Sequence, residues 1–117
     1  MEICSARFLF DHELTWEDLG GGVQRQVVGY NQDLMIVKFK FQKGGIGAPH
    51  HHMHSQSAVV VSGVFELTID GIKKILHAGD GYMVEPNIIH SAVCLEDGIL
   101  IDAFSPTRED FINLDKS

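Results

Sequence analysis

Long apolar runs are missing from this sequence, and so are runs of basic residues. Without the first, no segment of about 20 apolar residues is available to cross a bilayer as a helix. The second absence goes with nine Lys and Arg against sixteen Asp and Glu, a formal net charge of −7. Such a surface repels nucleic acid and anionic membrane, so neither is expected as a partner. A small anionic ligand would need a local cation to offset the field. Cysteine is scarce as well. Cys4 and Cys94 form no disulfide framework, which favours reduced thiols and a cytoplasmic location. The opening "MEICSARFLF" has an acid where a secretory signal would carry basic residues. There is no low-complexity tract and no repeat at solenoid periods. What is left, over residues 1–117, reads as a single domain with one hydrophobic core.

Helical periodicity is also rare, and two-residue alternation takes its place. In "LMIVKFKFQ", Met35, Val37, Phe39 and Phe41 share one face, with Ile36, Lys38 and Lys40 on the other. "AVVVS" is a short β-branched run, and "VQRQVVGY", led in by Gly20 to Gly22, reads as a further strand. "VFELTI" and "KKILH" flank Asp70 and Gly71, a pair suited to the positive φ of a type I′ hairpin turn. "SAVCL" and "ILIDAF" flank "EDG" at Glu96 to Gly98, which predicts a second hairpin. Glycines at 44, 45, 47, 63, 71, 79, 81 and 98 punctuate these strands. Only "SPTREDFINL" looks helical, with Ser105 as a cap and Pro106 at the first helical position. The expected architecture is a small all-β barrel closed by a short C-terminal helix.

Histidine is what the sequence has in excess. "GAPHHHMHSQSAVVVSG", from Gly47 to Gly63, holds four. Two residues apart on a strand share a face, so His50 and His52 can meet one ion from one wall of a barrel. Gln56, four residues beyond His52, can add an oxygen ligand, or instead hydrogen-bond a substrate or the backbone. A third imidazole has to come from elsewhere, and His90 in "VEPNIIHSAV" opens another apolar strand. Such a neutral set leaves the charge of a metal uncompensated and the ion a strong Lewis acid. His51 points away by alternation, His54 falls behind the site or on the surface, and His12 and His77 read as surface residues.

A second group lies in "GILIDAFSPTRED". Leu100, Asp102 and Phe104 share a face that is apolar apart from Asp102. An ionised carboxylate there is costly unless paired, protonated or placed at an open barrel end. It sits either in solvent at that end or beside the metal, where it would accept and return a proton. Arg108 follows. It is either an ordinary exposed helix arginine or the cation at a pocket mouth that grips a substrate carboxylate.

The spacing carries a resemblance. Gly44, His50, His52, Gln56 and Gly63 follow the first cupin motif (44–63), with Gln where the general pattern has Glu. Gly79, Glu85, Asn87, His90 and Cys94 follow the second (79–94), with Pro, Gly and Asn expected at Glu85, Asn87 and Cys94. This resemblance implies a single-domain cupin jelly-roll barrel, or double-stranded β-helix, with a metal inside. The tail "IDAFSPTREDF" together with "HHHMHSQSAVVVSG" is similar to the KdgF group of pectin-degradation cupins. That likeness implies His50, His52, Gln56 and His90 as ligands of one divalent transition metal: nickel, zinc, iron, cobalt or manganese. It implies Asp102, Phe104 and Arg108 as active-site groups.

For activity, the resemblance implies conversion of 4,5-unsaturated uronate monosaccharides, released by pectin or alginate lyases, to the linear 5-keto form. Two other functions share the barrel. A metal-dependent cupin oxygenase would take up dioxygen, and a non-catalytic sugar-binding cupin would saturate with the uronate unchanged. The expected partners are therefore a small anionic sugar substrate and, by analogy of fold, a second copy in a homodimer. "VQRQVVGY" is the strand expected to add to the partner's sheet.

Overall fold

Two strands organise the fold, and both are longer than the sequence suggested. The computed structural model describes residues 3–112. After a 3-10 turn at Asp11–Glu13 come β1 (Glu17–Gly20), β2 (Val23–Tyr30), β3 (Met35–Phe41) and β4 (Ile46–His50). β5 (Ser55–Ile69), β6 (Ile72–His77), β7 (Gly81–Val84), β8 (His90–Ser105) and α1 (Glu109–Ile112) follow. β5 and β8 pair antiparallel along nearly their whole lengths, from Ser55 opposite Ser105 to Ile69 opposite His90. The first part of β5 also pairs β7, and its second part pairs β6. Likewise the start of β8 pairs β4, and its end pairs β3. Each long strand thus belongs to two sheets, β1-β2-β3-β8-β5-β7 and β4-β8-β5-β6. This is the all-β jelly roll expected, with one short helix.

The hairpin expected at Glu96 to Gly98 does not form. β8 runs straight through it, and Gly63 likewise lies inside β5. The register between the two strands shifts three times from Val60 to Phe65, so this is where both bend from one sheet to the other. Here the glycines serve close approach rather than a turn. A Cβ on Gly63, which sits at φ 82, would lie 2.5 Å from the Asp97 carbonyl oxygen and 2.6 Å from that of Glu96. "EDG" between two apolar segments is locally indistinguishable from a turn; only the partner strand shows otherwise. Gly47 and Gly81 also lie within strands. At Asp70 and Gly71 the hairpin does form, both residues having positive φ.

Alternation in β3 holds: Met35, Val37 and Phe41 are buried, and Phe39 packs against them. The main core joins Val23, Phe41, Val60, Phe65, Leu67, Ala92, Cys94 and Leu100. A smaller cluster, Met35, Val37 and Phe104, lies towards α1. Outside the barrel, the Asp11 carboxylate accepts from the buried Gln26 amide at 3.2 Å and from Lys38 at 3.4 Å. The N-terminal segment is thereby tied to the outer face of β2 and β3.

β3 lies along one edge of β2, whereas β1 pairs the other edge only over Val23 to Arg25, so Gln26 to Gly29 carry no strand on that side among the described residues. One further expectation changes. The C-terminal helix begins at Glu109 rather than at Pro106. Ser105 is the last residue of β8, the Ser105–Pro106 peptide is cis, and Thr107 turns inward to donate to the Leu34 and Asn31 carbonyls. Residues 113 and 114 of the expected helix lie outside the described residues. No helix among those described is long and apolar enough to cross a membrane.

Candidate metal centre and active-site cavity

His50 and His90 are directly opposite one another where β4 pairs β8, and their rings lie 4.2 Å apart. His52 lies beyond the end of β4, so strand alternation is not what aims it. Its carbonyl accepts from the Asn87 N–H at 2.7 Å, which fastens the loop after β4 to the turn before β8. Asn87 adopts φ 66, in the left-handed region that glycine favours and asparagine tolerates. This explains how Asn serves where the general motif has Gly. One ligand nitrogen from each of His50, His52 and His90 falls within 4.8 Å of the others.

The hydrogen bonds set the tautomers. A ring nitrogen facing a carbonyl oxygen must carry the proton. His50 Nδ1 donates to the Ala48 carbonyl (2.8 Å), His52 Nδ1 to that of His54 (3.1 Å), and His90 Nδ1 to that of Ile88 (2.9 Å). All three rings therefore present Nε2 lone pairs. His90 Nε2 is buried with no hydrogen-bond partner among the described residues. Gln56 adds a fourth lone pair: its amide nitrogen donates to Asp102 Oδ2 at 2.8 Å, while its Oε1 lies 3.0 Å from His52 Nε2. Two acceptors at that distance repel each other unless a cation lies between them. Burial lowers the His52 pKa and takes that of His90 down to about 4, which keeps both rings neutral and ready to ligate. The donor set fits one divalent transition metal held by His50, His52, His90 and Gln56. The choice left open for Gln56 narrows to an amide that faces the imidazoles on one side and a carboxylate on the other.

This arrangement predicts that adding Ni²⁺ or Zn²⁺ to chelator-stripped protein raises its melting temperature. His90→Ala should abolish most of that rise. An equal rise in the variant would remove the centre from these residues.

Asp102 is fully buried and points into the barrel. Burial raises its pKa to about 7, and the Gln56 amide and the Arg108 charge only partly oppose the shift. Oδ1 has no hydrogen-bond partner among the described residues. The solvated alternative for Asp102 is thus set aside. Phe104, one inward position further along β8, is buried with its ring 5.8 Å from that of His52. Arg108 lies just before α1, with its guanidinium 5.2 Å from the Phe104 ring and 4.2 Å from that of Phe111. His50, Gln56, His90, Asp102, Phe104 and Arg108 all line one cavity of about 250 Å³, and His52 adjoins it.

Tyr82 was missed by the sequence reading. On β7 it faces Ala58 of β5, while Asp102 of β8 faces Ala58 from the other side. The small Ala58 leaves room between phenol and carboxyl, and burial holds the phenol well above its ordinary pKa, hence neutral. Nothing local in "GYMV" announces this, since it depends on register. His54 settles behind the site, its ring 5.4 Å from that of His52. His51, His12 and His77 are exposed.

A barrel of this topology with a His-rich centre at one end defines a class, and the comparisons agree. The model of the cupin domain matches residues 37–101, and the chain belongs to the cupin family. More particularly, it resembles the KdgF-type cupins. It is 48% identical to the pectin degradation protein KdgF of Dickeya dadantii (strain 3937), over 91% of this chain and 98% of that protein. A structure of KdgF from Halomonas sp. superposes with a TM-score of 0.87 at 41% identity, covering 92% of this chain and 99% of that one. An RmlC-like cupin from Shewanella frigidimarina NCIMB 400 does so with a TM-score of 0.90 at 50% identity, covering 92% and 97%.

Proposed function

We propose that this protein is an enzyme of pectin degradation that converts 4,5-unsaturated uronate monosaccharides, whether pectin- or alginate-derived, into the linear 5-keto form. Its similarity to proteins named KdgF supports the role in pectin breakdown. The observation that carries the reaction is the Asp102 carboxyl, which is buried, held through Oδ2 by Gln56 and unpartnered at Oδ1.

In this reading, Asp102 Oδ1 takes the proton of the C1 hydroxyl as the C1–O5 bond breaks. C1 becomes an aldehyde, the bonding pair passes to O5, and the C4–C5 double bond becomes that of an enolate. Returning the proton to C4 leaves a ketone at C5. No atom is gained or lost, and a single carboxyl can serve both transfers. A pKa near 7 suits such a group at neutral pH. Arg108 orients the substrate carboxylate, and Phe104 forms an apolar wall that limits water. A divalent metal, when bound by the three histidines and Gln56, supplies Lewis acidity towards substrate oxygens.

The test follows ultraviolet absorbance of the conjugated double bond in freshly made unsaturated uronate. The expected result is metal-dependent loss faster than the spontaneous rate; no acceleration would end the proposal. Oxygen uptake would instead favour an oxygenase. A homodimer belongs to the same proposal. Its contact is expected along β2, whose edge from Gln26 to Gly29 carries no strand among the described residues, or on the outer sheet face, where Val59, Val61 and Met83 are exposed. A monomer mass by light scattering would remove it.

A further inference from the structure

Arg108 is not free to approach a carboxylate from any side. Its Nε donates to Asp110 Oδ1 at 3.1 Å and its Nη2 to Asp110 Oδ2 at 2.9 Å. That pairing uses up the side-on edge of the guanidinium, one of its two edges suited to bidentate binding. The flat faces are constrained as well. The Phe111 ring lies 4.2 Å from the Arg108 guanidinium and 4.0 Å from that of Arg25. Arg25 is in turn held by Glu17 at 2.7 Å. Phe111 packs edge-on against Phe39 and Phe104. Among the described residues, the end of the guanidinium formed by Nη1 and Nη2 is the edge left over, on a side chain that lines the cavity.

We propose that Asp110 is a positioning residue, which occupies the side-on edge of Arg108 so that its end-on edge meets the carboxylate of a uronate in the cavity. This rests on the uronate reading above and deepens it. An arginine on a flexible stem loses considerable rotamer freedom on gripping a ligand, and holding it beforehand removes part of that cost. Asp110 is itself exposed, so its role here is not that of a core residue.

The direction of the effect separates positioning from simple electrostatics. Asp110→Asn removes a negative charge beside the cavity, which by field alone would tighten binding of an anion. Positioning demands the reverse. For Asp110→Asn, KM for the unsaturated uronate is expected to rise about tenfold, equivalent to losing one well-oriented charge-assisted contact. kcat should stay within about twofold, since the proton-moving groups are untouched. Asp110→Glu should recover part of the loss. Metal content and melting temperature, read alongside, should match the wild type.

Galacturonate, a saturated uronate with the same carboxylate, provides a readout independent of turnover by calorimetry. If the wild type converts the substrate and Asp110→Asn leaves KM unchanged or lowered, positioning is wrong and the function stands. If the wild type converts nothing but binds galacturonate, and Asp110→Asn weakens that binding, the function is wrong and positioning stands. If the wild type neither converts nor binds, both fall.

Discussion

Asp102→Asn is expected to lower turnover of unsaturated uronate by about 10²–10⁴-fold while leaving metal content unchanged. Asn keeps the shape and can still accept the Gln56 amide hydrogen bond, but it cannot take up or return a proton. Loss of metal along with activity would show that the carboxyl acts through the centre instead. The same substitution should have an opposite effect on stability. In chelator-stripped protein the Asp102 pKa stands at about 7 against an ordinary 3.8, so the folded state holds its proton more tightly than the unfolded chain. The stability linked to that proton is complete below pH 3.8 and is lost as pH rises through 7. At pH 8 the loss amounts to about 4 kcal/mol, taking about 1.4 kcal/mol per pH unit over that interval. The stripped Asn variant escapes it. Its melting temperature should exceed that of stripped wild type at pH 8, with the margin shrinking towards pH 4. A margin that does not depend on pH would mean the carboxyl is not confined as the fold places it.

The second large effect concerns the fold. Gly98→Ala is expected to destabilise by at least about 3 kcal/mol, roughly 10 °C or more in melting temperature. A Cβ at Gly98 would lie 2.8 Å from Phe65 Cε2 and 2.9 Å from Gly63 Cα, and closer still to the Ser62 carbonyl. Neither the backbone of β5 nor a fully buried ring can retreat cheaply. Gly71→Ala is the matched control. Nothing stands within 4 Å of its Cβ, so only the left-handed backbone at φ 80 is strained, costing about 1 kcal/mol. Equal losses in the two variants, measured by thermal unfolding, would contradict the crossing of β5 and β8 described here.

How far each feature was legible depended on the range of its cause. The burial of Met35, Val37 and Phe41 follows from alternation, which the pleat enforces within a single strand. The Asp70–Gly71 turn was readable for a similar reason, because positive φ is a local demand met by local residue types. Bringing His50, His52 and His90 together was expected from motif spacing, though strand alternation was the wrong account for His52. Its aim comes from a loop pinned to Asn87, a residue 35 positions away. "EDG" was read as a turn because the same three residues serve a hairpin or a crossing, and only the opposing backbone distinguishes them.

By itself, then, the sequence determined what depends on residue type and short spacing: an acidic all-β chain, strands with one apolar face, a cluster of imidazoles, and a carboxyl stranded among apolar neighbours. The tertiary structure decided what depends on register between distant strands. It turned the Gln56 amide between His52 and Asp102 and set Tyr82 across Ala58 from that carboxyl. Strand pairing converts separations of tens of residues into contacts of a few ångströms, and a one-residue slip would turn every side chain to the other face.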